Sequence, residues 1–305
     1  MTPPQFRCIS KPAAGLWHAL ACHARGWQPA QPELWAALAP NFAQWQAFLP
    51  TQRVEPLAVA EHLVPLSVEY DTPRYLAEAL LAKLFSADKA LVRQAIWTTE
   101  LAKHDRAHAA QFPKLATELP FRIPPIKELT EAQGPGLLME LTRTTAPHLL
   151  PHEIKVIVVQ PYLGGHGRAY PLANSLVWEG MLVNAEPRLP EVLRLVWLAG
   201  QLNFDTPALA GELYRNRAIL VGAWAMLPLT LAAAAELELA ECTLELGRLA
   251  AKNWRLTLPG ERITPETAVD IAWSWWETYA AKRPLWPIAL GALSKMFERA
   301  DGEGA

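Results

Sequence analysis

The sequence predicts a predominantly helical α+β protein with a small β-sheet near residues 154–170. Three observations carry this. Apolar residues recur at spacings of three and four through most of the chain, the mark of helices that bury one side. One short β-branched run, Ile154 to Gln160, reads as a strand and is closed by Pro161. A glycine-rich turn, Gly164-Gly165-His166-Gly167, follows it directly.

The elements follow in order. Leu34, Trp35, Leu38, Phe42, Trp45 and Leu49 form a helical stripe interrupted by Pro40. Arg74 to Phe85 carries Leu76, Leu80, Leu81 and Leu84 on one side, and Ser86 then caps a further helix. The core side of that helix is expected at Leu91, Val92, Ala95, Ile96 and Thr99, with His104 and His108 on the opposite, solvated face. Between residues 112 and 136 five prolines argue for an irregular connector with one short helix near Ile126 to Ala132. That divides the chain into a helical region (1–111), a Pro-rich connector (112–136) and an α+β core with C-terminal helices (137–305), or leaves one continuous domain. Ser175 to Val183 fits strand or helix.

Beyond the sheet, Glu191 to Phe204 is expected as a helix buried nearly all round, since its only early charges are Glu191 and Arg194. Helices then cover about Pro207–Leu227, Leu229–Asn253, Pro265–Ala281 and Pro287–Arg299, with Thr264 as a cap. No repeat of solenoid length stands out.

Composition narrows the function classes. The 305 residues are 51% apolar and 19% charged, with a net charge of −2, so bulk-charge binding to nucleic acid or an anionic membrane is disfavoured. Three separated cysteines without a Cys-x-x-Cys pair fit neither a disulfide framework nor a zinc ribbon. The first fifteen residues lack the order of a secretory signal, so a cytoplasmic location is expected. The uncharged run Ala218–Ala235 reaches the length of a membrane span, but it is Ala-rich and holds Gly222 and Pro228. A buried pair of helices is the favoured reading and membrane association the minor one.

Several constellations bear on chemistry. His104 and His108 have the i, i+4 spacing of a metal-binding pair but no third ligand in sequence. His148 and His152-Glu153 flank Pro147 and Pro151 and read as loop residues. No Gly-x-Ser-x-Gly elbow occurs, and Cys22-His23 is only a sequence neighbour pair. Glu236, Glu238, Glu241 and Glu245 read as a wet helix face. The 13 tryptophans fit core anchoring better than a ligand groove. The most site-like feature is the turn Gly164, Gly165, His166, Gly167 and Arg168, whose backbone N–H groups are expected to form an anion nest, with Tyr170, Trp178 and Glu179 lining the same area. It matches neither the dinucleotide fingerprint nor a P-loop.

The stretch His148 to Asp205 resembles the central part of zincin-type metalloproteases: a strand, a Gly-containing edge segment and a buried helix. Aligned on the family's His-Glu-x-x-His, Trp197 and Gln201 stand at the metal-ligand positions and Leu198 at the general base, with Gly200 between. The resemblance therefore implies a core that has lost metal and base. With no complete catalytic constellation elsewhere, the sequence points to a binding or scaffold protein without a cofactor, its partner a protein or small molecule. The alternative is a hydrolase-type enzyme with its site at the Gly164–Arg168 loop.

Overall fold

A four-stranded sheet divides the molecule into two helical layers. The structure is a computed structural model that describes residues 4–146 and 148–302; Pro147 falls outside them. The strands are β1 (Gln5–Ser10), β2 (Glu153–Val159), β3 (Gly167–Tyr170) and β4 (Ser175–Glu179). Their order is β1-β2-β4-β3, with β1, β2 and β4 parallel and β3 antiparallel to β4. One layer holds α1 (Pro12–Ala24), α2 (Pro32–Gln52), α3 (Pro56–Glu69), α4 (Pro73–Leu84) and α5 (Ala87–Gln111). A short turn, α6 (Leu115–Glu118), leads to the other, built from α7 (Ile123–Thr144), α8 (Glu191–Ala199), α9 (Pro207–Ala210), α10 (Arg215–Glu236), α11 (Leu244–Asn253), α12 (Pro265–Lys282) and α13 (Trp286–Gly302). Helix makes up 66% of the chain and strand 7%, so the predominantly helical α+β class holds.

The pattern of β2 follows from its place. Ile154, Val156 and Val158 enter the core with α7, α8 and α10, while Ile157 and Val159 enter the core with α1 to α5. Both faces are covered, so the strand reads as an unbroken apolar run. On β3 and β4 the same alternation sends Ala169, Leu176 and Trp178 to one core and Tyr170 and Val177 to the other. Gly167 sits where β3 approaches α8. A Cβ there would fall 2.4 Å from Leu198 Cδ1 and 2.8 Å from the Val177 carbonyl oxygen. Gly167→Ala should therefore cost about 1–3 kcal/mol of stability through overpacking, read as a lowered urea midpoint at unchanged slope.

Four expectations are corrected. The connector is largely helix: α7 runs from Ile123 to Thr144 with Pro124 and Pro125 in its first turn, where N–H groups need no intrahelical partner, and it tolerates Pro135 inside. The apolar run at 218–235 is one helix, not two, because α10 continues through Pro228. The faces of α5 are inverted. Leu91, Val92, Ala95, Ile96 and Thr99 are exposed, while Trp97, Glu100, Leu101, His104 and His108 are buried. Trp97 carries that choice, since its indole fills the core beside Trp45 and Phe48 and donates to Gln52 Oε1 at 3.1 Å. Finally, α8 ends at Ala199, earlier than the expected Phe204, although all nine of its residues are buried as anticipated.

The tryptophans mostly build the cores. Trp17 packs on Trp45, Trp45 on Trp97, Trp197 on Trp254, and Trp275 on Trp286. Thr264 caps α12 by accepting from the Thr267 N–H at 3.2 Å.

Candidate functional site

The expected nest forms, and the chain fills it itself. Gly164 and Gly165 take φ of +79° and +121°, conformations that turn successive N–H groups inward. The groups converge on the carboxylate of Glu179 at the end of β4. Leu163 N–H donates to Oε1 at 2.8 Å, and Gly165 and His166 N–H donate to Oε2 at 2.8 and 3.0 Å. A fourth donor comes from the other layer, since His18 of α1 places Nε2 3.0 Å from Oε1. Each carboxylate oxygen thus holds two partners, which meets the acceptor capacity of the group.

Electrostatics match this geometry. Burial works against the charge on Glu179, but the His18 hydrogen bond and charge, with the Gly165 N–H, outweigh it and hold the carboxyl at about 2. Burial likewise opposes an imidazolium at His18; Cys22 and Glu179 outweigh it and raise the group to about 10. His166 is driven the other way, by burial first and by the nearby His18 charge second, so it stays neutral. Its ring stacks on that of His18 at 5.7 Å and meets the edge of Trp27 at 4.9 Å.

Cys22 lies one turn beyond His18 on α1, with Sγ 3.7 Å from His18 Nε2. Sulfur, imidazole and carboxylate are thus neighbours, but a proton relay needs the two ring nitrogens to serve different partners. Here Nε2 faces both Sγ and Oε1. Cys22 is 1% exposed and Glu179 fully buried, so the group works as an internal lock between α1, β4 and the loop. His23, the sequence neighbour of Cys22, stacks on Phe42 at 4.3 Å and meets Gln46 Nε2 at 3.0 Å. It takes no part.

The other expected lining residues separate. Arg168 does not serve the nest. It forms a fork with Glu61 of α3, at 2.5 Å from Nη2 and 3.3 Å from Nε, and Arg25 pairs with the same carboxylate. Tyr170 faces that side too, its hydroxyl buried without a partner among the described residues. Trp178 lies across the sheet in the other core, so it does not share a site with Arg168 and Tyr170. There it stands 5.7 Å from the Arg194 guanidinium. Buried Arg194 pairs with Glu191 one turn earlier on α8 and donates to the Glu179 carbonyl oxygen at 2.9 Å.

His104 and His108 are not ligands on a wet face. His104 is fully buried between Trp17 and Trp45 and close to Asn41, and burial drives both imidazoles down to about 4. Among the described residues no group of three His, Cys, Asp or Glu side chains is placed to hold a metal ion. At the positions aligned with zincin ligands, Trp197 donates from Nε1 to the Ala223 carbonyl oxygen at 2.9 Å, and Gln201, beyond the end of α8, donates to the Trp197 carbonyl oxygen at 2.9 Å. Leu198 packs against Gly167.

Sequence reasoning missed His18, Cys22, Glu191 and Arg194 as parts of this neighbourhood. The available signals were the i, i+4 spacing of His18 and Cys22 and the two charges in an otherwise apolar α8. Compared with protein-family models, curated proteins and solved structures, the chain matches none of them.

Proposed function

We propose that this chain is a non-catalytic binding or scaffold protein that works in the cytoplasm without a cofactor, on a protein or small-molecule partner rather than nucleic acid. One observation carries the reading: the charged side chains at the carboxyl end of the parallel strands are each paired within the chain. The nest holds Glu179, Glu179 holds His18, and Arg168 holds Glu61. A catalytic site keeps a donor or base directed at the place a reacting atom will occupy. Here those groups are directed at one another. An inactive zincin-like core fits the same reading, with Trp197 and Gln201 bonded to backbone where that family holds metal.

Metal analysis of the purified protein should find substoichiometric zinc and iron, and a broad hydrolase screen should find equal, background rates for wild type and Arg168→Ala. Stoichiometric metal, or turnover abolished by Arg168→Ala, would overturn the reading in favour of an enzyme. Helix α10 has the length and apolar content to cross a membrane, but 72% of its most apolar window is buried among the neighbouring helices. That supports a core helix, and recovery in the soluble fraction without detergent is the expected result.

A further inference from the structure

We infer that a cleft beside the N-terminus of α8 binds a small uncharged molecule with an apolar body and an amide-type head. The inference rests on the binding reading above and names the chemical class of the ligand. The cleft has a volume of about 370 Å³, within the range of small-molecule sites. It lies just past the carboxyl end of β4, where the crevice of a parallel sheet collects ligands. Ile126 and Leu129 of α7 form one apolar wall, and Met181 to Val183 form the other. Asn184 and Glu191 close the polar end.

The polar end fixes the class of head group. Glu191 presents a carboxylate that its partner Arg194 already balances. Arg194 is 1% exposed, yet Nε and Nη1 have no hydrogen-bond partner among the described residues. An unpaired buried guanidinium N–H is costly, so these donors call for an acceptor. Nη1 borders Gly165 at a point that Met181 and Ala185 also border, so it stands one side chain behind the cleft wall. Met181 is unbranched and half-buried, which suits it to move aside. Glu191 lines the cleft as an acceptor, and a ligand that turns Met181 aside reaches the Arg194 donor behind it. Because the Glu191–Arg194 pair is already neutral as a unit, a carboxylate or an ammonium would lose its hydration there without gaining a free counter-charge. A head that offers N–H and C=O side by side satisfies both without adding charge, and the Leu129 and Val183 walls take an aromatic or aliphatic body.

Saturation-transfer NMR on the full chain with benzamide, benzoate and benzylamine tests this directly. Benzamide should bind, with benzoate and benzylamine about tenfold weaker, a difference near 1.4 kcal/mol. Leu129→Trp should abolish the benzamide signal by filling the cleft. If that variant misfolds, Val183→Asp on the exposed loop provides the second arm and should weaken benzamide about fivefold by setting a charge against the apolar body. Absence of benzamide binding, equal binding of benzamide and benzoate, or wild-type affinity in Val183→Asp would overturn the assignment. Release of ammonia from benzamide would leave the cleft in place and overturn the non-catalytic reading instead.

Discussion

Glu179→Gln should lower the thermal unfolding midpoint by on the order of 10 °C, the largest single-site effect expected in the protein. The carboxylate receives four hydrogen bonds, and three come from a loop that nothing else closes in the same way. The isosteric amide keeps the volume, but it turns an NH₂ toward at least one donor and leaves the His18 imidazolium buried without its counter-ion. Breaking a buried pair from one side costs about 3–5 kcal/mol, and a chain of this size loses roughly 1.5–2 °C per kcal/mol. His18→Gln should be comparably damaging, and the double variant should cost much less than the sum, because each single change strands the partner of the other. Additive losses in that cycle would show that the two side chains stabilise the fold independently.

The same pair sets a pH window. The folded-state value of Glu179 lies below the ordinary 4.5, at about 2, so its contribution is present above pH 4.5 and is lost as pH falls through 2. The folded-state value of His18 lies above the ordinary 6.5, at about 10, so its contribution is complete below pH 6.5 and is lost as pH rises through 10. Between those limits the lock is whole, and unfolding midpoints of Glu179→Gln should differ most from wild type there.

This lock shows what the sequence exposes and what it hides. The nest was readable because consecutive glycines after a buried strand carry their geometry locally. Its occupant was half readable: Glu179 was recognised near the loop, but nothing local says that the nest would close on it. His18 is 161 residues away in an Ala-rich helix, and its spacing to Cys22 says nothing about a carboxylate partner on the sheet. Tertiary packing alone supplies that contact. The strand β1 was hidden for a related reason. Gln5, Phe6, Arg7, Cys8, Ile9 and Ser10 have a weak pattern, and this edge segment becomes a strand through its pairing with β2, from Gln5 opposite Glu153 to Ser10 opposite Val158. By contrast β2 announced itself because both of its faces are buried.

The inversion of α5 is more instructive, since the pattern itself was clear. Leu91, Val92 and Ile96 make the more apolar stripe by residue count, yet they face solvent at 73%, 81% and 49% exposure. The opposite face carries one Trp, one Leu, two His and a Glu, and it is the one that fits the layer formed by α2 and α1. Shape and aromatic contact decided the packing, with His104 wedged edge-on against Trp17 and Trp45. An amphipathic pattern assigns polarity to a face and is silent about the complement of the surface it meets.

That inversion makes acid stability depend on α5. Burial holds His104 and His108 at about 4, with Glu100 raising and Lys103 lowering the value at His104. Both are neutral in the fold at pH 7. In the unfolded chain they take up protons near 6.5, so the unfolded state binds more protons and stability falls as pH drops from 6.5 to 4. Each contributes a loss of about 3 kcal/mol when complete. Asp105 works in the opposite direction, because burial raises it to about 6 and the fold takes up its proton first as pH drops. The net loss by pH 4 is then about 3–4 kcal/mol from these three groups, and neutral His166 adds to it. His108→Phe, which keeps a flat ring beside Phe112, should leave stability at pH 7.5 within about 1 kcal/mol and remove roughly one proton from the slope of unfolding free energy against pH between 6.5 and 4. Urea titrations at half-unit pH steps read both quantities. An unchanged slope in His108→Phe would mean that the imidazole titrates normally, and therefore that α5 turns its histidine face to water after all.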